Sequence, residues 1–246
     1  MRGADLQAVR ALPLFGGMHE THFNALMAAA LLQAFPPRVL LVREGELPDF
    51  LHVIVDGAVE LFATHGDRET TIDIIVPTTT FILAAAIRDE VYLKSARTLV
   101  QSRVLMIPAD AVRDIFGRDS TFARAVVGEL AARYRGVVRA LKNQKLRTAT
   151  ERLANWILQT DAQNESNGRL TMPFEKRTLA ALLGTTPENL SRSFATLASH
   201  GVASEGRTIV IADRSKLRRL AQENPLIDDI PAHHPADAGE PGPSGR

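Results

Sequence analysis

The segment Lys176–Val202, KRTLAALLGTTPENLSRSFATLASHGV, constrains the fold more than any other part of the chain. Gly184 ends a first predicted helix, and Thr185 or Thr186 caps the second. Pro187 suits the first position of that second helix, because its missing N–H would have no partner there. Two short helices joined by such a turn predict a helix-turn-helix.

The second of these helices has a polar face that is suited to reading base pairs. Its apolar residues recur at i, i+4 and i+7 and are expected to point inward: Leu190, Phe194 and Leu197. Glu188, Ser191 and Arg192 fall on another face. A carboxylate can accept from the cytosine amino group, and an arginine can donate two hydrogen bonds to guanine. The pattern predicts a helix that enters the DNA major groove, with Thr186 and Asn189 as further contacts.

Composition narrows the class of protein. The chain has 246 residues, 45% of them hydrophobic, and a formal net charge of +1. This length suits two modest globular domains. The absence of cysteine excludes disulfides, thiol chemistry and cysteine-held iron–sulfur clusters. No apolar run approaches the length of a bilayer span and the N-terminus lacks a cleavable signal, so we expect a cytoplasmic protein with no membrane partner.

Residues 1–108 are predicted to form an antiparallel β-roll with a sensory role. A helix is expected over residues 18–33. After it, short β-branched or alternating runs are separated by turn residues, which is typical of a small roll; the runs are 39–42, 50–55, 58–63, 70–76 and 99–107. Asp56-Gly57 lies between two such runs and is a strong signal for a hairpin that joins them.

Residues 109–147 are predicted to be a helical connector, with a long helix from Ser120 to about Gln144. Apolar residues recur along it at alternating spacings of three and four: Val127, Leu130, Tyr134, Val137 and Leu141. This is the pattern of a coiled-coil seam, and it predicts a homodimer whose two reading helices meet successive half-sites. A packing face within one chain would have the same pattern, and this alternative stays open.

Residues 148–222 complete a winged helix-turn-helix domain. The stretch 203–211 predicts a hairpin wing, whose turn places Arg207 where it can contact a DNA phosphate. The last residues, 223–246, contain five prolines and little apolar content and are predicted to be disordered. The whole chain is therefore predicted to be an α+β protein with a jelly-roll-like N-terminal half.

This combination of roll, long helix and winged helix-turn-helix resembles the CRP/FNR superfamily of bacterial transcription regulators over residues 10–222. Gly45-Glu46, Asp49 and Gly57 match recurrent turn residues of the family roll. Glu188, Ser191 and Arg192 are similar to the E-x-x-S-R pattern of the FNR, FixK, Dnr and NnrR-like branch.

The resemblance implies double-stranded DNA, a second copy of the chain and RNA polymerase as partners. It also implies a palindrome with TTGA-type half-sites, whose bases Glu188 and Arg192 would read. The resemblance further implies that the protein activates genes for low-oxygen or nitrogen-oxide metabolism. Pro187 stands where CRP has a base-contacting arginine, so CRP-type specificity is not expected.

The sensory half departs from the two best-known sensors of the family. It lacks the cysteines that hold the FNR cluster. Phe81-Ile82-Leu83-Ala84 replaces the Gly-Glu-Leu segment with which CRP binds cyclic AMP, and Lys94-Ser95 lies where CRP has an Arg-Ser pair. A lysine cannot fork onto a phosphate as an arginine does, so cyclic nucleotide binding is not expected. The resulting candidates for an apolar effector pocket are Phe81, Ile82, Leu83, Lys94 and Ser95.

Three hypotheses remain for the signal. One is haem, as in the nitric oxide regulators of the branch, with His19, His22 or His52 as the axial ligand. Another is a small hydrophobic or aromatic effector in the roll. The third is a ligand-free regulator of the FixK type. No other metal site is predicted.

Two alternatives lie outside specific transcription control. The first is an enzyme with an attached DNA-binding domain, but the chain has no phosphate-binding glycine loop, dinucleotide fingerprint, H-E-x-x-H or G-x-S-x-G sequence. We therefore expect no catalysis. The second is a nucleoid-type protein, which would bind DNA of any sequence with a steep dependence on salt.

Overall fold

The chain begins with three helices and an eight-stranded roll. The computed structural model describes residues 3–163 and 166–228. Helices α1 to α3 are Gly3–Arg10, Pro13–Gly16 and Glu20–Ala29. Strands β1 to β8 are Leu31–Phe35, Leu40–Val42, Phe50–Asp56, Val59–His65, Arg68–Ile75, Thr79–Phe81, Ser95–Thr98 and Ser102–Pro108. Helix α4, between β6 and β7, is Leu83–Arg88.

The eight strands form two antiparallel sheets, which confirms the predicted roll. One sheet has the order β1-β8-β3-β6, and the other has the order β2-β7-β4-β5. Buried side chains from both sheets, with Tyr92 from the connection before β7, fill the space between them: Val42, Ile54, Val59, Leu61, Phe81, Ala96 and Val104. A second apolar layer covers the outer face of the first sheet with α1 to α5, and Leu51, Val53 and Leu105 belong to it.

The hairpin predicted at Asp56-Gly57 is wrong. Strand β3 pairs with β6 and β8, whereas β4 pairs with β5 and β7, so the chain changes sheets at Gly57. Gly57 has φ +94°, and a Cβ there would lie 2.6 Å from the Gln101 carbonyl oxygen. The glycine is needed because two crossings between the sheets pack side by side, and a local turn signal does not specify this long-range arrangement.

The helix predicted over residues 18–33 is shorter in the structure. It ends at Ala29, and Leu31 to Phe35 form β1, where Leu31 pairs with Met106. Apolar residues in this stretch are compatible with either period, so antiparallel backbone pairing with β8 over all five residues decides the strand. Strands β1, β6 and β7 were not predicted.

The second half contains the long helix and the winged domain. Helices α5 to α10 are Ala109–Arg118, Ser120–Leu146, Ala149–Gln163, Lys176–Leu182, Pro187–Ala198 and Arg214–Ala221. Strands β9 to β11 are Arg169–Thr171, Val202–Glu205 and Thr208–Ile211, and they form a sheet in the order β10-β11-β9. Within the described residues, no helix has both the length and the apolar character that a bilayer span requires.

Residues 223–228 fold back onto the rest of the described chain. Residues 223–228 were expected in a disordered tail, but they form a turn that ends in the buried carboxylate of Asp228. A buried ion pair with Arg147 holds this turn, so the prediction of disorder is wrong for these six residues. The remainder of the predicted tail, 229–246, lies outside the described residues.

Helix α6 is fastened to the roll at its first turn. The Asp119 carboxylate accepts hydrogen bonds from the backbone N–H groups of Thr121 and Phe122 at 3.0 and 2.9 Å, and from that of His19 at 3.0 Å. His22 Nδ1 lies 3.0 Å from the same carboxylate. The bond from the Phe122 N–H is the largest cause that holds the pKa of Asp119 well below its usual range. The carboxylate thereby joins α3 to the start of α6.

We predict that Asp119→Ala lowers the free energy of unfolding at pH 7 by about 1–2 kcal/mol, because it removes a helix cap. Since the folded carboxyl has a lowered pKa, its contribution is present above about pH 4 and is lost as the pH falls through the folded pKa. Urea unfolding across this pH range should show that the difference in unfolding free energy between Asp119→Ala and the native protein becomes smaller as the pH falls.

The exposed Asp110 at the start of α5 provides the matched control, since Asp110→Ala should leave stability within about 0.5 kcal/mol. If the difference in unfolding free energy between Asp119→Ala and the native protein stays constant down to pH 2, the role of the ionised Asp119 as a helix cap is contradicted.

Candidate nucleic-acid interface and sensory roll

The predicted helix-turn-helix is present as α8, a short turn and α9. Gly184 lies in that turn with φ +60°, a region that favours glycine. Thr186 is the cap of α9, because its hydroxyl oxygen accepts a hydrogen bond from the Asn189 N–H at 3.2 Å. Pro187 occupies the first turn as predicted. The predicted inward residues are buried: Leu190, Phe194 and Leu197.

The opposite face of α9 brings the predicted base-reading residues together. Glu188, Asn189, Ser191 and Arg192 are all exposed on it. The Arg192 guanidinium donates to Asn189 Oδ1 at 3.3 Å, a contact that orients the long side chain along the helix. The Ser191 hydroxyl donates to the Pro187 carbonyl oxygen at 3.0 Å and so points back along the backbone.

Electrostatics keep the Glu188 carboxyl ionised near neutral pH. A hydrogen bond from its own backbone N–H is the largest cause that lowers its pKa, and the Thr186 hydroxyl and Arg192 act in the same direction. The positive end of the helix dipole lies at this first turn and favours the same charge state. Glu188 is therefore a hydrogen-bond acceptor beside the donor Arg192, one helical turn away.

Arg207 lies at the tip of the wing, in the turn between β10 and β11. Strands β10 and β11 form the predicted hairpin, and Gly206 in its turn has φ +59°. The Arg207 side chain is exposed, while its carbonyl oxygen accepts from the Met172 N–H at 2.9 Å and fixes the backbone. An arginine on a backbone held in this way is suited to contact a phosphate rather than a base.

Sequence reasoning missed Arg152, which joins the helix-turn-helix to the end of α6. Its buried guanidinium donates to the carbonyl oxygens of Leu183 at 2.8 Å, Gly184 at 3.3 Å and Arg147 at 2.6 Å. Burial lowers the pKa of Arg152. The sequence carries no signal for this role, because an arginine in an amphipathic helix is normally read as an exposed residue.

The predicted seam of α6 is largely uncovered in the described chain. The exposed fractions are 62% for Val127, 71% for Tyr134, 65% for Val137 and 56% for Leu141. Leu130 differs, because it packs partly against the apolar layer on the roll. We call these five residues the α6 face. Large apolar side chains that share one exposed stripe are characteristic of an interaction surface.

The apolar effector pocket predicted from the sequence is not a single surface. Phe81 lies between the two sheets, whereas Leu83 belongs to the layer on the outer face of the first sheet. The prediction is wrong on this point because Ile82, between them, takes a left-handed conformation with φ 64° and turns the chain into α4. Phe81 and Leu83 are fully buried.

The two polar pocket candidates lie in and beside the second sheet. The buried Ser95 hydroxyl accepts from the Glu44 N–H at 3.0 Å. Lys94 is half-buried near Asp73 and Arg133, and burial is the largest cause that lowers its pKa. A cyclic nucleotide needs donors and acceptors for its ribose and phosphate, and Phe81, Ile82 and Leu83 offer none from their side chains. These residues do not fit that ligand.

The three histidines that were candidate haem ligands lie at two places: the rings of His19 and His22 are neighbours, with centroids 5.8 Å apart, and His52 lies apart from them. His19 is exposed at the cap of α3, with Nδ1 2.9 Å from the Thr21 hydroxyl, and His22 contacts Asp119. Only His52 lies inside the roll, where its ring stacks on Phe81 with centroids 5.1 Å apart. Its Nδ1 has no hydrogen-bond partner among the described residues. Burial lowers the pKa of His52 to about 4, so the imidazole is neutral at pH 7.

Two family models match the two halves of the chain. The Crp-like helix-turn-helix domain matches residues 151–220, and the cyclic nucleotide-binding domain matches residues 32–119. A CRP-like cAMP-activated global transcriptional regulator of Mycobacterium tuberculosis is 25% identical over 215 residues, which cover 85% of this chain and 96% of the relative.

Solved structures share the fold described above. A regulatory protein from Silicibacter pomeroyi is 26% identical, with a TM-score of 0.63, and the match covers 90% of this chain and all of that one. FixK2 from Bradyrhizobium japonicum has a TM-score of 0.71 at 23% identity, over 78% of this chain and 96% of FixK2.

A winged helix-turn-helix fastened to a nucleotide-binding-type roll by a long helix defines a DNA-binding transcription regulator. The chain has the CRP/FNR fold, with a Crp-like helix-turn-helix domain and a cyclic nucleotide-binding domain in its two halves.

Proposed function

We propose that the chain acts as a homodimeric transcription activator that reads a palindrome of TTGA-type half-sites. The observation that carries the proposal is the exposed pair of Glu188 and Arg192, one turn apart on α9. A half-site of this type contains a single G·C pair. The ionised Glu188 is suited to accept from the cytosine amino group, and Arg192 is suited to donate to guanine O6 and N7.

The biological task follows from the same residues. The E-x-x-S-R pattern is similar to that of FNR, FixK and Dnr-like regulators, and this resemblance supports control of genes for low-oxygen or nitrogen-oxide metabolism. The regulator would recruit RNA polymerase in the cytoplasm and would have no catalytic activity of its own. A family fold alone does not specify this branch, so the proposal depends on how α9 reads DNA.

Arg192→Ala should weaken binding to a TTGA palindrome by about 1–3 kcal/mol and relax the preference at the G·C pair, because the two hydrogen bonds to guanine are lost while Glu188 still faces the cytosine. Fluorescence anisotropy on a labelled duplex and on every single-base variant of one half-site measures both effects. Unchanged discrimination at all half-site positions would reject Arg192 as a base-reading residue.

Arg207→Ala is the matched control for this experiment. It should weaken binding to every duplex by a similar factor and reduce the salt slope by about one, as expected for a phosphate contact. If the native protein binds random duplexes as tightly as the palindrome, the nucleoid-type alternative replaces the proposal.

The α6 face supports the proposed dimer. From Val127 to Leu141 it extends for about 21 Å along one side of the helix, and it repeats with the spacing of a coiled-coil seam. A second copy of the same helix, related by a twofold axis, would cover these side chains and place two α9 helices on one side of the dimer. Two half-sites of a palindrome have the same twofold symmetry.

Val137→Asp should convert the dimer to a monomer, because it places a charge at the centre of the α6 face where the partner would bury it. Light scattering after size-exclusion chromatography measures the mass directly. Ala132→Asp, at an exposed α6 position off the seam, should leave the dimer intact. The proposal would be contradicted if the native protein is monomeric at a concentration 10-fold above its Kd for the palindrome.

For the signal, we propose haem as the effector, held by His52. The supporting observations are a buried imidazole that is neutral at pH 7, an Nδ1 with no hydrogen-bond partner among the described residues, and apolar surroundings. The side chains that fill the space between the two sheets would have to move apart to admit the group. When bound, the haem iron would supply a position for a diatomic gas. His52 would orient the group inside the roll, and the side chains around it would exclude water.

An absorption spectrum recorded after haem reconstitution tests this second proposal. The native protein should show a stoichiometric Soret band that shifts with nitric oxide. His52→Ala should lose that band, whereas the control His22→Ala should keep it, because His22 lies outside the roll. A flat spectrum of the native protein, with tight binding to the palindrome, would reject haem and favour the ligand-free regulator or an organic effector.

A further inference from the structure

The hinge between α6 and α7 is short and carries an unexpected set of buried charges. Only Arg147 and Thr148 separate the end of α6 from the start of α7. Arg147 takes an extended conformation there, with φ −119° and ψ 146°, so the chain changes direction at this residue. Any rotation of the DNA-binding domain relative to α6 therefore takes place at the backbone of Arg147 and Thr148.

The last described residues of the chain reach back to this hinge. We call residues 223–228 the C-terminal strap. Both oxygens of the Asp228 carboxylate lie 2.7 Å from guanidinium nitrogens of Arg147, in a paired, two-pronged geometry. The side chains of both residues are buried, with exposed fractions of 6% for Arg147 and 3% for Asp228. An ion pair of this kind is directional as well as strong.

Further hydrogen bonds join the strap to both sides of the hinge. On the α6 side, Lys142 Nζ donates to the Leu226 carbonyl oxygen at 3.1 Å. On the α7 side, Gln159 Nε2 donates to Asp228 Oδ1 at 3.2 Å. Within the strap, the Asn224 N–H donates to the second carboxylate oxygen at 2.7 Å. The strap therefore spans the joint, with a contact on each of the two elements that the joint connects.

The same network continues to the DNA-reading unit. The carbonyl oxygen of Arg147 accepts from the Arg152 guanidinium, which also donates to the Leu183 and Gly184 carbonyl oxygens in the helix-turn-helix turn. A movement of Arg147 is thereby connected to the turn that precedes α9. Apolar contacts alone would allow small rotations here, whereas these bonds have defined directions.

We propose that the C-terminal strap is a latch that sets the angle between α6 and the DNA-binding domain, with Arg147 and Asp228 as positioning residues. Closed, the latch holds the two α9 helices of a dimer at a single separation. Open, each α9 still reads its half-site, but the separation varies. The dependence on half-site spacing rests on the proposed dimeric function, whereas the latch itself does not.

A DNA-independent measurement tests the latch first. Trypsin must take an arginine side chain into its own pocket, and the Arg147 guanidinium is buried in the ion pair. In full-length Asp228→Ala we expect cleavage after Arg147 to be at least 10-fold faster than in the native protein. Mass spectrometry identifies the cut. Leu226→Ala, whose side chain is exposed in the same strap, is the matched control and should cleave at the native rate.

A folded Asp228→Ala protein with native protection at Arg147 would overturn the latch, whatever the chain binds. If that variant does not fold, the same trypsin experiment is done with Asp228→Asn, because asparagine keeps the shape of the side chain and removes its charge. Asp228→Glu should restore protection at least in part, since it returns the carboxylate.

Half-site spacing then tests the consequence for DNA. The native protein should bind a correctly spaced TTGA palindrome at least 10-fold more tightly than one with two extra base pairs between the half-sites. In Asp228→Ala this ratio should fall below about threefold, with binding to a single half-site unchanged. A native ratio retained in Asp228→Ala would overturn the positioning role. If the native protein does not bind the palindrome specifically, the proposed function is rejected. The trypsin experiment still tests the latch in that case.

Discussion

The attachment of α6 to the roll is the interaction on which the rest of the structure depends. The Phe122 ring is fully buried and stacks on Phe15 with centroids 6.1 Å apart, while Asp119 satisfies the free N–H groups at the start of the helix. Apolar burial supplies the free energy of this anchor, and the carboxylate sets its direction. Because α6 continues for 27 residues, a small change of angle at the anchor displaces its far end by several ångströms.

The far end of α6 is held by different chemistry. There, buried guanidinium groups of Arg147 and Arg152 bond to a carboxylate and to backbone carbonyl oxygens. Apolar surfaces tolerate sliding, whereas a buried charge is costly unless its partners stay in place. The long helix therefore has an apolar anchor towards the sensory half and a directional polar joint towards the DNA-binding half. Such an arrangement holds α9 in a defined orientation relative to the end of α6.

The DNA-reading face was predictable because everything that creates it is local. The cap at Thr186, the proline after it and the i, i+4 spacing of Glu188 and Arg192 lie within seven residues of each other. The roll was predictable only as a class. A turn signal at Gly57 predicts that the chain reverses, but not that β3 and β4 then join different sheets. In the same way, the sequence predicts that Phe81 and Leu83 line one pocket. In the structure the left-handed Ile82 between them places the two side chains on opposite sides of a sheet.

By itself, the sequence determined the order of the domains, the seam of α6 and the helix-turn-helix, since helical periods and caps are properties of neighbouring residues. Only the tertiary structure decided which strands pair, which histidine is buried, and that Asp228 returns across some eighty residues to Arg147. These depend on contacts between segments far apart in the chain. Their free energy comes from burial and from the pairing of charges, which no local pattern records.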